Sequence, residues 1–436
     1  MLFDRGHHRR RRRHVRHRNP WRRILTVLGP GLITGASDDD PSGIATYSQA
    51  GAQFGYSMCW VMLFTWPLMA AIQEISARIG RVTGKGIAAN LREHYSIWLL
   101  RPIVTLLLVA NFINLGADLG AMGDGLRLLI GGPRGLYVVL LAAACTTLEI
   151  FSSYERYVKV LKWLTLSLFA YVAVALIVQV PWREVGYNTI VPHILWQTDY
   201  IVVIVAVLGT TISPYLFFWQ ASEEAEDERI DPMAHPLIER PREAASEIRR
   251  IEIDTYVGMG LSNLVAFFII VTTAATLHAH GVTDVQTSEQ AAEALRPIAG
   301  EFAFLVFALG ILGTGLLAVP VLAGSSAYAL AEAMQWQAGL SRAPQDARRF
   351  YATIVAGTVI GIGINFVNID PIKALFWTAV INGIVAVPLM IVMMIMTMQP
   401  KVMGRFTLPR PLWAVGWVST GAMAFAVAIM FATWGG

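Results

Sequence analysis

The stretch SDDDPSG, residues 37–43, interrupts an apolar segment that extends from residue 24 to residue 54. If that segment crosses a bilayer, three carboxylates facing lipid would cost on the order of 8–10 kcal/mol, at roughly 2.5–3.5 kcal/mol each. Pro41 lacks the backbone N–H that a continuous helix needs, and the Ser-Gly pair after it permits unwinding. The pattern predicts a broken helix whose free carbonyl oxygens and carboxylates attract a cation.

A second apolar segment, residues 200–220, carries a counterpart, GTTISPY, at residues 209–215. It too places a proline among hydroxyl side chains near the middle of the segment. Interrupted helices at corresponding positions in two halves of a chain are the best sequence indication of a transporter's substrate site. A single proline kink would indicate little, so the prediction depends on the pair.

The whole chain has the composition of a polytopic membrane protein. Of its 436 residues, 55% are hydrophobic and 15% are charged, against ~25% charged in an ordinary soluble protein. About 20 apolar residues cross ~30 Å of hydrocarbon, and helices suit windows of that length better than barrel strands do. Eleven windows occur, near residues 24–54, 57–77, 102–130, 135–151, 161–180, 200–220, 255–278, 301–333, 350–367, 371–398 and 411–434.

The basic residues predict an orientation in the membrane. If the N-terminus is cytoplasmic and the eleven spans alternate, all but five of the 34 Lys and Arg lie on the cytoplasmic side. This bias favours a cytoplasmic N-terminus and an extracytoplasmic C-terminus in the cell (inner) membrane. The five exceptions are Arg127, Arg134, Arg183, Arg296 and Lys373.

Two polar segments lie outside the predicted spans. Residues 1–23 form a basic tail, which we expect to contact anionic lipid headgroups rather than nucleic acid. Residues 221–252 are predicted to form a cytoplasmic loop that is acidic at its start. Glu223 and Glu224 in that loop either attract cations to a cytoplasmic mouth or belong to a solvated helix end.

Several motifs resemble those of the Nramp divalent-metal transporters. They are GPGL at residues 29–32, Asp40-Pro41, QAGAQFGY at residues 49–56 and QEISARIGRVTGKG at residues 73–86. The resemblance extends over nearly the whole chain. It implies the LeuT-like fold, in which two inverted five-helix repeats are followed by an extra helix, and this agrees with the eleven windows.

The expected architecture is therefore an all-α polytopic membrane protein with one transmembrane domain over residues 24–434. Spans one to five form the first repeat, at about residues 24–180, and spans six to ten form the second, at about 200–398. The extra helix covers residues 411–434. Helices one and six are the broken ones.

The departures from the family pattern bear on the transported ion. The family's Asp-Pro-Gly-Asn is here Asp40-Pro41-Ser42-Gly43, and its Met-Pro-His is here Ser213-Pro214-Tyr215. Soft sulfur ligands favour transition metals, whereas carboxylate, carbonyl, hydroxyl and water suit magnesium, calcium and manganese. Magnesium retains several waters, and the smaller side chains leave room for them. The pattern most resembles the Nramp-related magnesium transporter branch.

The predicted ligand set follows from this resemblance. Asp40 is the charged ligand and the Thr210 carbonyl a further oxygen, while Gly43 and Ser213 make the site wider and harder. The remaining candidates are Asp38 and Asp39 as acceptors for bound water, Tyr215, and Asn382 on the tenth span.

Proton coupling is predicted to be weak or absent. The resemblance implies proton transfer through the sixth-helix His and two acids of the third helix. The His is replaced by Tyr215, a poor proton carrier near neutral pH, and of the two acids Asp118 remains while Ala121 replaces the other. Arg348 and Arg349 remain along the expected exit route, and the alternative is that Asp118 is simply their structural partner.

These observations predict a secondary-type transporter that imports largely hydrated Mg²⁺, and also Mn²⁺, by alternating access. The alternative is a proton-coupled Mn²⁺/Fe²⁺ importer of the usual Nramp type. A sensor would need an output domain, and an ATP-driven pump would need a phosphate loop, for which no Gly-Lys-Ser/Thr motif occurs. We expect no enzyme activity and no resident cofactor. The expected partners are the lipid bilayer and the divalent cations, without nucleic acid, and a monomer is favoured.

Overall fold

The computed structural model describes residues 34–35, 37–151, 168–230, 234–367 and 370–434, and no β-strand occurs among them. The α-helices of these residues are α1 Pro41–Phe54, α2 Cys59–Thr83, α3 Ile87–His94, α4 Ile97–Ile130, α5 Arg134–Phe151, α6 Phe169–Ile177, α7 Trp182–Ile190, α8 Thr198–Thr211, α9 Pro214–Ile230, α10 Ala244–Thr276, α11 Ser288–Glu293, α12 Arg296–Ala299, α13 Ala303–Ala333, α14 Arg348–Ile364, α15 Pro371–Thr397, α16 Pro400–Met403 and α17 Arg410–Thr433.

The first predicted break is present immediately before α1. Helical residues precede it, Asp40 has an extended backbone with φ −66° and ψ 170°, and α1 starts at Pro41. A proline at the first helical position loses no hydrogen bond, and the Asp40 side chain caps the helix by accepting from the Gly43 N–H. The same residues that interrupt the chain therefore also start the next helix.

The second predicted break separates α8 from α9. Ile212 leaves the helical conformation with φ −115° and ψ 57°, and α9 begins at Pro214. The Ser213 hydroxyl donates to the carbonyls of Gly209 at 2.9 Å and Thr210 at 2.8 Å. Carbonyls at the end of a helix lack intrahelical partners, so this serine stabilises the interruption.

The broken helices lie in the interior of the bundle. α4 packs along α13, α8 along α15, and α10 along both α1 and α2. The approach of α8 to α15 requires a glycine, because a Cβ at Gly209 would lie 2.1 Å from the Ala379 carbonyl oxygen. Both breaks are therefore enclosed by helices that protect them from lipid.

Eight helical segments of the described residues are long and apolar enough to cross a membrane. One of them, Pro41–Thr83, contains both α1 and α2. Parts of the predicted first and fifth spans and the basic tail lie outside the described residues. The predicted ninth span corresponds to α14, which has 17 residues.

The predicted loop over residues 221–252 differs from the structure. α9 continues to Ile230 and α10 already begins at Ala244, so the acidic start of this segment is helical. Most of its carboxylates are buried between helices. The prediction of a loop was wrong for these helical residues because three buried acids have partners on neighbouring elements, namely Glu224, Glu226 and Glu228.

Candidate metal site

The Asp40 carboxylate is the centre of the candidate site, and its residue is 1% exposed. Its Oδ1 accepts hydrogen bonds from the Ser42 hydroxyl at 2.6 Å and from the Gly43 N–H at 2.7 Å. Both donors belong to the first turn of α1. The break itself therefore orients Asp40, whose charge is also favoured by the positive end of the helix dipole.

The second oxygen of Asp40 is contacted from two other helices. Asn114 of α4 donates from Nδ2 to Asp40 Oδ2 at 3.1 Å, and the Tyr215 hydroxyl of α9 lies 3.3 Å from the same oxygen. The Tyr215 hydroxyl also donates to the Ser37 carbonyl at 2.9 Å. Residues flanking both breaks thus meet at one carboxylate, as the sequence pairing predicted.

Gly43 and Thr210 face each other across the site. A Cβ at Gly43 would lie 3.3 Å from Thr210 Oγ1, 3.4 Å from the Asp38 carbonyl oxygen and 3.2 Å from the Tyr47 ring. The glycine therefore leaves space beside a hydroxyl and a carbonyl oxygen. The Thr210 carbonyl already accepts from Ser213, so Ser213 directs its hydroxyl toward its own helix.

Asp38 and Asp39 do not converge with Asp40. The Ser262 hydroxyl of α10 lies 2.6 Å from Asp38 Oδ2 and 3.1 Å from Asp39 Oδ1. Asp38 Oδ1 has no hydrogen-bond partner among the described residues. These two carboxylates therefore share a contact on α10, whereas Asp40 contacts Asn114 and Tyr215.

Asp118 is buried on α4, four residues after Asn114, and close enough to Asp40 for their charges to interact. Neither of its carboxylate oxygens has a hydrogen-bond partner among the described residues. Arg348 and Arg349 are exposed at the start of α14, where the Arg349 guanidinium lies 5.3 Å from the Trp336 ring. The alternative that Asp118 is a structural partner of these arginines is therefore wrong.

Asn382 lies on α15, buried and 2% exposed. Its Nδ2 has no hydrogen-bond partner among the described residues. The residue after it, Gly383, packs against the α8 turn that contains Gly209, next to Thr210. Asn382 therefore stays a candidate on the helix that packs against the second break.

Among the described residues, no basic side chain contacts the carboxylates of the site. Within the described residues, the side-chain partners of the three break carboxylates are uncharged hydroxyl, phenol and amide groups. No three His, Cys, Asp or Glu side chains of the described part converge on a common point. A bound cation would therefore be held by one carboxylate and neutral oxygens.

Glu223 and Glu224 do not form an open cation mouth. Glu224 is 1% exposed and pairs with Arg250 of α10 at 2.5 Å. Glu223 is half-buried and lies 3.4 Å from the Tyr328 hydroxyl of α13. The same hydroxyl also contacts Glu226. The acidic start of this segment is therefore held by neighbouring helices, and the prediction of a cation-attracting mouth was wrong for these two residues.

Sequence reasoning did not select Asn114, Tyr47 or Ser262 for the site. For Asn114 a signal existed, because it precedes Asp118 by four residues and two polar residues at that spacing share a face of an apolar helix. Tyr47 and Ser262 have other polar residues beside them in their helices, so their position in the sequence does not distinguish them. Only the packing of α10 against α1 reveals their place.

The sequence was compared with those of known protein families. The Nramp model, described as Natural resistance-associated macrophage protein-like, matches residues 31–433. The chain belongs to the Nramp family. This Nramp protein is 26% identical to the divalent metal cation transporter MntH of Klebsiella pneumoniae over 409 residues, which is 90% of each chain.

Solved structures share the fold of this Nramp protein. A mutant of the Eremococcus coleocola manganese transporter aligns with a TM-score of 0.73 at 16% identity, over 95% of this chain and 87% of that one. MhsT in complex with L-phenylalanine aligns with a TM-score of 0.62 at 11% identity, over 92% and 98%. The LeuT-like fold is confirmed, and these relatives are transporters rather than enzymes, as expected.

Proposed function

We propose that this Nramp protein imports largely hydrated Mg²⁺, and also Mn²⁺, by alternating access, with weak or no proton coupling. The observation that carries the proposal is the set of contacts around Asp40. One buried carboxylate is surrounded by Ser42, Gly43, Asn114 and Tyr215, and sulfur and imidazole are absent from these contacts. Carboxylate, amide and hydroxyl oxygens are hard ligands, which suit Mg²⁺ and Mn²⁺.

The absence of a side chain at Gly43 supports a hydrated ion beside Asp40. Mg²⁺ keeps several of its waters and is usually held by one or two carboxylates. The Gly43 Cα leaves its neighbour Thr210 Oγ1 open to the site. Water molecules bound to the ion would donate to Asp40, to Thr210 and to Asn114 Oδ1, which accepts no hydrogen bond from the described residues.

The energy for import does not require protons. A double charge that moves into a cell gains about 4.6 kcal/mol per 100 mV of inside-negative membrane potential. Tyr215 occupies the position at which the family resemblance places a histidine, and its hydroxyl is committed to Ser37 and Asp40. These features support transport driven by the potential.

The second candidate is a proton-coupled Mn²⁺/Fe²⁺ importer of the usual Nramp type. One observation favours it. Asp118 is a buried carboxylate near Asp40 whose oxygens have no hydrogen-bond partner among the described residues, so it is available to a proton. The relatives named above as divalent metal cation and manganese transporters are also consistent with this candidate.

Uptake into proteoliposomes distinguishes the two candidates. The purified protein is reconstituted with an inside-negative potential, and Mg²⁺ and Mn²⁺ uptake are recorded together with internal pH. We expect uptake of both ions without acidification, loss of uptake in Asp40→Ala, and normal uptake in the control Glu184→Gln, a carboxylate exposed at the surface. Mn²⁺-driven acidification without Mg²⁺ transport would establish the second candidate instead.

A further inference from the structure

A large cavity lies away from the candidate metal site, between the connection before α3, the end of α9 and the segment after α13. Its volume is about 670 Å³, within the ~300–1,000 Å³ of small-molecule sites. We call it the basic cavity, because four basic side chains line it against two acidic ones. These are Lys85, Arg92, Arg229 and Arg342, with Glu93 and Glu332.

The positive charge of the basic cavity exceeds its negative charge by two, because four basic side chains face two acidic ones. Lys85 pairs with Glu93, and both are about half exposed. Arg92, Arg229 and Arg342 form no salt bridge with a carboxylate in the part of the chain that the structure describes. Three guanidinium groups in one cavity thus remain available to an external anion.

Two of these arginines are already oriented by the backbone. Arg229 Nε donates to the Ala225 carbonyl at 3.0 Å, and Arg342 Nε donates to the Ala338 carbonyl at 3.1 Å. Each contact fixes a guanidinium through its Nε. Arg342 Nη1 also donates to Gln337 Oε1 at 3.4 Å, which leaves Arg342 Nη2 and both Nη groups of Arg229 for another group. Ordering before binding lowers the entropy cost of association.

Glu332 attracts Arg229 electrostatically, but its hydrogen bonds are made to other elements of the fold. Its Oε1 accepts from the Ser222 hydroxyl at 2.9 Å, and its Oε2 accepts from the Ala89 N–H at 3.1 Å. A Cβ at Gly86 would lie 2.1 Å from the same carboxylate, so the glycine allows this close approach. Glu332 thereby ties α13 to α3 and α9 and builds the wall of the cavity.

We propose that the basic cavity binds a phosphate-bearing anion with more than one phosphate group, such as a nucleoside polyphosphate. Arginine binds phosphate through two parallel hydrogen bonds, and three arginines on three segments, none in a salt bridge among the described residues, match a chain of phosphates better than a single phosphate. Trp336 lines the same cavity and adds an aromatic wall. If the predicted orientation holds, the cavity opens to the cytoplasm, where such anions are found.

Binding at this place restrains α9. Arg229 is in the last turn of α9, the helix that follows the second break, whereas Lys85 and Arg92 belong to the connection before α3 and to α3 itself. An anion bound to both groups connects α9 with α3. This consequence rests on the proposed function: if alternating access moves α9, the bound anion slows transport.

Isothermal titration with pyrophosphate and with ATP, in metal-free buffer, tests the binding directly. We expect binding by the wild type and an affinity at least about tenfold lower in the double variant Arg229→Gln/Arg342→Gln. The matched control Arg405→Gln/Arg410→Gln removes two exposed arginines outside the cavity and leaves the affinity unchanged. Absence of binding in the wild type, or equal loss in both double variants, overturns the proposal.

Two further experiments identify the source of the anion and test whether the basic cavity and the metal site bind independently. In nanodiscs, loss of pyrophosphate binding with anionic lipid but not with neutral lipid assigns the cavity to a lipid phosphate rather than a free one. Titration of Mg²⁺ should give normal binding in Arg229→Gln/Arg342→Gln, while Asp40→Ala keeps pyrophosphate binding and loses the metal. If the wild type binds pyrophosphate but not Mg²⁺, the proposed transport function is contradicted and the proposed anion site is not.

Discussion

Two groups of buried carboxylates in this protein have opposite surroundings. The break carboxylates, residues 38–40, contact only uncharged side chains among the described residues. The acidic run, residues 223–228, is held by arginines and by a tyrosine: Glu224 pairs with Arg250, Glu228 lies 3.6 Å from Arg81, and Glu226 contacts Tyr328.

The difference shows which buried acids are available to a ligand. A carboxylate that already has an arginine beside it has its charge compensated, and its contribution is to hold helices together. A carboxylate without a base in a membrane interior is costly until a cation or a proton arrives. The surroundings of each acid, more than the number of acids, therefore distinguish a candidate site from a structural contact.

The largest effect on metal affinity is expected from substitution of Asp40, the break carboxylate that contacts residues flanking both breaks. Asp40→Asn keeps the size of the side chain and removes its charge, so Mg²⁺ affinity should fall by about 100-fold, which corresponds to about 3 kcal/mol. Isothermal titration of Mg²⁺ measures this. Unchanged affinity would mean that the ion binds elsewhere.

The acidic run should respond in stability rather than in metal binding. Glu224→Gln leaves Arg250 without its buried partner and should lower the free energy of unfolding by about 2 kcal/mol, measured as a loss of thermal stability in detergent. The double variant Glu224→Gln/Arg250→Gln should recover part of that loss. A change in Mg²⁺ affinity in either variant would remove the distinction between the two groups.

The character of the site can be altered while Asp40 is retained. Ser213→Met restores the thioether that the family resemblance places there and should raise Cd²⁺ affinity about tenfold, because sulfur is a soft ligand. Ser213→Leu, similar in size but without sulfur, is the control. Equal affinities for Cd²⁺ in the two variants would argue that residue 213 does not face the ion.

The smallest effect on transport is expected from substitution of Asp39, another of the break carboxylates. Asp39 contacts Ser262 rather than the groups around Asp40, so Asp39→Asn should change Mg²⁺ uptake by about threefold or less, through the long-range charge alone. Uptake in proteoliposomes is the measurement. A loss as large as that of Asp40→Asn would show that the break carboxylates act as one group.

Much of the fold could be predicted from the sequence, because its signals are local. Apolar windows give helices, and Pro41 and Pro214 at the start of α1 and α9 mark the breaks. The convergence of Asp40 with Tyr215 also followed from the pairing of the two motifs.

The partners of buried acids could not be predicted in this way. Glu224 and Asp39 have similar sequence surroundings, each beside another acid, but they face Arg250 and Ser262 respectively. Both partners lie on α10, and which acid meets which of them depends on how that helix crosses α1 and α9. Helix packing is a long-range property that composition and spacing do not encode.

The Tyr215 hydroxyl has a consequence for the motion of the two broken helices. It has one proton and two acceptors, the Ser37 carbonyl before the first break and the carboxylate of Asp40. A cation on that carboxylate would occupy one acceptor and leave the proton to Ser37, which would fasten the two helix ends together. Because the hydrogen bond to Ser37 is already present without an ion, binding of the cation would preserve this link between the two breaks rather than sever it.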